Sequence, residues 1–193
     1  QYAEAFYNLG VAQKKAGQFD DAIYSYQRAI AIDSNNANAH NNLGNLLTQK
    51  ELLSQAIEHL KIALNINPKF AEAHNNLGLA NLGIYKFDDA IKSFSLAIKY
   101  KPDYEFAYIH LGRTYQELDQ FDNEVKCYKK LLKIKPNSSI AQVSLGRVYK
   151  HSKQNKLAIS YFELALNSNP QLVSAYYELS MEPKYKLSKK QIN

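Results

Sequence analysis

The sequence predicts an all-α fold, a right-handed superhelical solenoid of antiparallel helix pairs that runs through residues 1–193 as a single array. Three observations predict it. The chain repeats itself every 34 residues. Each period holds two runs of apolar residues at helical spacing. Glycine and proline are scarce, seven and five in 193 residues, too few for an all-β chain that turns every ~10 residues.

The period is read from Ala3-Glu4-Ala5-Phe6-Tyr7-Asn8-Leu9-Gly10, which returns as Ala37 to Gly44 and as Ala71 to Gly78. Weaker copies end in Leu111-Gly112 and Leu145-Gly146. With Ala3 as position 1, the repeats span 3–36, 37–70, 71–104, 105–138 and 139–172, and a partial repeat or capping helix covers 173–182 before a tail at 183–193. Position 7 is leucine and position 8 glycine in all five repeats.

Within each repeat, apolar residues at positions 3, 4, 7, 10 and 11 mark a first amphipathic helix, and those at 20, 21, 24, 27, 28 and 30 mark a second. A mid-helix glycine costs about 1 kcal/mol against alanine, so position 8 needs a packing reason. The expected one is close approach of the second helix, opposite the position-20 alanines Ala22, Ala56, Ala90 and Ala158. At position 18, Asp20, Ser54, Asp88 and Asp122 are suited to cap free amides at the start of the second helix, a rule that Lys156 breaks. Pro68, Pro102, Pro136 and Pro170 close four repeats, since proline cannot continue a helix interior. A single hairpin cannot bury its apolar face, and neighbours must therefore stack.

The Leu-Gly pair, the small residues at positions 20 and 27, the large apolar residue at 24 and the closing proline resemble the tetratricopeptide repeat family. The resemblance covers almost the whole chain, and its arrays look most like those of O-linked N-acetylglucosamine transferases. It implies a concave groove lined by positions 2, 5, 6, 9, 12 and 13 of the first helices, which receives a protein or peptide partner. On this chain those positions include Asn8, Asn42, Asn76 and His110 at position 6, with Asn41, Asn75 and Asn45 beside them. Asparagine is a middling helix former whose amide both donates and accepts, which suits capture of an extended peptide backbone. The same side chains could instead bridge neighbouring helices.

Further along, the groove becomes cationic, with Arg113 and Arg147 at position 9, Lys150 at 12 and His151 at 13. Residues 139–193 carry eight lysines and arginines against three acids, +5 of the total +6, so this half either attracts carboxylates or is an ordinary solvated face. The carboxylate clamp of chaperone-binding members is not expected, because Asn41 stands where it needs lysine and Glu72 and Phe106 occupy position 2.

No catalytic residue, metal site or cofactor is expected. Cys127 has no matched histidine motif, no glycine-rich phosphate loop occurs, and His40 and His74 lack ligand partners at metal spacing. Nucleic acid is not expected as a partner, since charge balances over the first three repeats and leaves no basic track. Nor is membrane insertion, for want of ~18 continuous apolar residues. The lone cysteine fits a reducing, cytoplasmic setting, Gln1 reads as the start of a fragment, and exposed solenoid ends would permit self-association.

Two local departures carry their own expectations. Glu124 and Leu131 replace small residues at positions 20 and 27, so Glu124 is expected to reach solvent or a cation and the fourth repeat to pack less tightly. After Val173–Leu179 the pattern fails at Pro183, which reads as a cap or as a junction resembling the passage into a sulfotransferase domain. The function expected is a protein-interaction scaffold, or else the substrate-recruiting arm of a larger glycosyltransferase or sulfotransferase whose catalytic domain lies outside this chain.

Overall fold

The computed structural model describes residues 2–182, and all regular structure among them is helical. The order is α1 (Tyr2–Lys15), α2 (Phe19–Ile32), α3 (Ala37–Gln49), α4 (Leu53–Ile66), α5 (Ala71–Gly83), α6 (Phe87–Tyr100), α7 (Glu105–Glu117), α8 (Phe121–Ile134), α9 (Ser139–His151), α10 (Asn155–Ser168) and α11 (Val173–Ser180). Two helices per 34-residue period appear where the apolar spacing put them, and α11 takes the place of a sixth first helix. The basic tail from Pro183 lies outside the described residues. The chain divides into two compact units, one ending at Ala107 and the other beginning at Tyr108.

Each first helix ends in the same way. The N–H groups of Gln18, Leu52, Lys86, Gln120 and Gln154 reach back to the carbonyls of Gln13, Leu47, Asn81, Tyr115 and Tyr149 at 2.8–2.9 Å. This six-residue closure requires a left-handed residue just before it. Gly17 supplies one at φ 76°, but Glu51, Tyr85, Asp119 and Lys153 adopt φ 54–61° in the equivalent place without being glycine. Second helices stop at an extended residue, and three of these, Asp33, Asn67 and Asn169, accept from the amide two residues on.

The position-18 capping expected from sequence is not what the helices use. Asp20, Ser54, Asp88 and Asp122 are each the second helical residue, and the preceding N-cap residues make no side-chain cap hydrogen bond. Near the N-terminus their charge still favours the helix dipole, and Asp20 also pairs with Lys50 at 2.5 Å. Side-chain caps occur on first helices instead: Asn36 Oδ1 accepts from the Ala39 amide at 2.9 Å and Ser138 Oγ from Ala141 at 3.3 Å.

In the first unit the core joins Ala22 and Tyr26 of α2, Leu43, Leu46 and Leu47 of α3, Ala56 and Leu60 of α4, and Ala80 of α5. In the second unit Tyr128, Leu131, Phe162 and Ala165 are closed off from solvent in the same register. The glycine at position 8 meets the position-24 side chain first, and a Cβ on Gly44 would also lie 3.2 Å from the carbonyl oxygen of the position-20 Ala56. A Cβ on Gly10 would lie 2.7 Å from Tyr26 Cε1, and one on Gly44 would lie 2.6 Å from Leu60 Cγ. Gly78, Gly112 and Gly146 oppose Phe94, Tyr128 and Phe162 in turn. The large position-24 side chain, a ring in four repeats and leucine in one, is what a Cβ would strike first.

Among the described residues, Glu124 reaches neither solvent nor a cation. It is 2% exposed and its Oε2 has no hydrogen-bond partner among the described residues. Burial pushes its carboxyl up to about 7.

Candidate interaction surface

The asparagines of α3 and α5 are tied to one another. Asn76 Nδ2 donates to Asn41 Oδ1 at 2.9 Å, and Asn76 Oδ1 accepts from Asn45 Nδ2 at 3.3 Å. Asn45 Oδ1 in turn accepts from Lys14 Nζ of α1 at 2.9 Å and from Gln49 Nε2 at 3.1 Å. A polar chain therefore runs across three first helices. Asn41 and Asn76 are buried, and burial also lowers the Lys14 pKa. Asn75 is 4% exposed, and its Oδ1 has no partner among the described residues.

Asn42 and Asn8 stand differently. Asn42 is half-buried and donates to the Tyr7 hydroxyl over a long 3.4 Å, while Asn8 is exposed on α1. Asn42 also interacts with the Tyr26 hydroxyl, and its Oδ1, like the Asn8 amide, keeps hydrogen-bonding capacity not filled among the described residues.

In the second unit, Arg147 Nε donates to Glu178 Oε1 at 2.7 Å and Lys150 Nζ to Glu178 Oε2 at 3.2 Å. Lys150 also lies 3.6 Å from Glu182 Oε1. Burial alone would raise the Glu178 carboxyl, but the hydrogen bonds from Arg147 and Lys150 bring it below its usual value. The carboxylates that this cationic stretch meets thus come from α11 and its C-terminal end. Arg113 is exposed, and His110, half-buried, is held below its ordinary pKa by burial and by Arg113. His151 is exposed, its ring 4.9 Å from that of Phe121. Arg147 and Lys150 are brought together around Glu178; His151 packs elsewhere.

The discounted residues have structural work. The position-4 side chains His40, His74 and Gln142 lie against the carbonyls of Ser34, Pro68 and Pro136 at 3.3, 2.9 and 2.7 Å, tying each first helix to the turn before it. His40 Nδ1 lies 3.0 Å from His59 Nδ1, a pairing that period-based reading missed because position 23 carried no signal. Cys127 is buried, its thiol pushed up to about 12 by burial and its Sγ 3.4 Å from the Tyr108 carbonyl. It is a poor nucleophile. No cluster of three potential metal ligands occurs among the described residues, and no described helix is long and apolar enough to cross a membrane.

Family models agree with this geometry. A TPR repeat model matches residues 14–51 and 44–83, and a tetratricopeptide repeat model matches 71–104, 107–138 and 141–172. A search of curated proteins returned no match. Among solved structures, one of MamA is 31% identical, with a TM-score of 0.75, 85% of this chain covered and 96% of that one. A second MamA structure is also 31% identical, at TM-score 0.74 with 94% and 98% covered. YrrB, described as a TPR protein with an unusual peptide-binding site, shares the fold at 17% identity, TM-score 0.69 and 91% of each chain covered. With paired helices at a 34-residue period and repeat models spanning most of its length, the chain belongs to the tetratricopeptide repeat family.

Proposed function

We propose that this chain is a protein-interaction scaffold that holds an extended peptide along the first helices of its repeats, with Asn8 and Asn42 as the contacting amides. One observation carries the reading: Asn41, Asn45 and Asn76 are consumed in holding one another, whereas Asn8 and Asn42 do not join that network. Asn41, Asn45 and Asn76 then act as a fixed frame, so that the contacting amides lose little freedom on binding. YrrB, of the same fold, is described as peptide-binding, which supports a peptide as the partner class. Arg113, in the second unit, is an exposed cation at position 9, while Arg147 and Lys150 are engaged by Glu178 and serve first to fasten α11.

The same face would serve as the recruiting arm of a larger transferase, and the full reading frame of the gene separates the two roles. The test of the shared reading is affinity capture from a lysate of the source organism, with an Asn8→Ala/Asn42→Ala chain as control. Capture of a discrete partner by the wild type and its loss in the variant, at unchanged melting temperature, is the expected result. Equal capture by both chains would remove these asparagines from the binding role.

A further inference from the structure

Helix α5 presents a second face. Side chains advance about 100° per helical residue, so His74, Leu77 and Asn81 point roughly opposite to Asn75 and Asn76. There they floor a cavity of about 250 Å³ walled by α4 and α6. Ile57, Lys61 and Leu64 form one wall at spacings that keep them on a single face of α4; Asp89, Lys92 and Leu96 do the same on α6.

Leu77 marks the cavity as unfinished. The equivalent Leu43 is wholly buried, yet Leu77 remains partly open to solvent at the cavity floor. The lining joins the apolar Ile57, Leu64 and Leu96 to charged side chains. Lys61, Lys86 and Lys92 stand on the rim against a single carboxylate, Asp89, and none of the three lysines is ion-paired among the described residues. The volume lies under the ~300–1,000 Å³ of small-molecule pockets, and fits a large side chain or two small ones.

We propose that this groove, on the side of α5 away from the asparagine row, is a second docking site, for a partner segment that presents a large apolar side chain flanked by carboxylates. The apolar anchor fills the space above Leu77, Ile57 and Leu96, and the lysines steer the acids and set the register. A groove on α4, α5 and α6, separate from Asn8 on α1 and Asn42 on α3, allows the scaffold to hold two partners at once, independently of what fills the first.

The probe is a fluorescein-labelled nonapeptide with a central Leu-Phe pair between two runs of Asp and Glu, titrated against the full chain by anisotropy. Saturable binding that weakens with added salt, and weakens a further ~10-fold in Lys61→Glu/Lys92→Glu, is expected. The Asn8→Ala/Asn42→Ala chain should bind the probe as the wild type does. The proposal is overturned by any of three results: no saturable binding, equal binding of a peptide with lysines in place of its acids, or loss of binding in the asparagine variant but not in the lysine variant.

Discussion

Glu124→Gln isolates the cost of one buried carboxyl. Its ordinary value of 4.5 is pushed up to about 7 by burial in α8, beside Cys127 and Tyr128. Below pH ~4.5 the group is protonated whether the chain is folded or not, and burial costs no charge. Between pH 4.5 and 7 only the unfolded chain gives up its proton, so stability falls as pH rises. Above pH 7 the folded state carries the whole penalty, about 3 kcal/mol at 1.36 kcal/mol per pKa unit. Glutamine keeps the shape and cannot ionise. Urea unfolding of both chains, followed by circular dichroism at fixed ionic strength from pH 5 to pH 8, yields the difference in stability at each pH. Histidine titrations are common to both chains and cancel. The difference should grow by about 2 to 3 kcal/mol in favour of the variant as pH rises. Curves that stay parallel within about 0.5 kcal/mol would show that the carboxylate is solvated or paired in solution, and would refute the burial argument.

Three further outcomes follow from contacts already described. Gly44→Ala drives a methyl into Leu60, and the overpacking outweighs the ~1 kcal/mol gain in helix propensity, for a net loss of about 1 to 2 kcal/mol. Combining it with Leu60→Ala in a urea double-mutant cycle should show strong non-additivity, and simple addition would argue against the contact. Asn76→Ala strands the amides of Asn41 and Asn45 and should lower stability by about 1 to 3 kcal/mol, where Asn42→Ala changes it little; equal melting temperatures for the two would contradict the bridging role. Glu51→Gly relieves a left-handed backbone at φ 61° and should raise stability by about 1 kcal/mol in the same unfolding assay; an unchanged or lower stability would show that the turn holds no such strain.

What the sequence by itself determined is the recurring burial requirement. Leucine at position 7, small residues at 20 and 27 and a large one at 24 recur every 34 residues, and a periodic pattern of faces to be buried specifies stacked helix pairs. The closing prolines and the place of α11 were legible for the same local reason. The tertiary structure alone decided which side chains meet, both within a repeat and between repeats. Gly44 opposes Leu60 rather than Ala56 for its closest contact, Asn76 pairs with Asn41 and Asn45, and Arg147 and Lys150 are met by Glu178. Such pairs lie 16 to 35 residues apart; the glycine contact is set by how closely the two helices of one hairpin pack, and the others by how neighbouring hairpins stack. Glu124 shows the same limit from the other side: its position named it as out of place, but only the packing around α8 decided that it stays buried and carries a raised pKa. The left-handed residues at Glu51, Tyr85, Asp119 and Lys153 were invisible because none is glycine, and the hydrogen bonds closing each first helix hold them there.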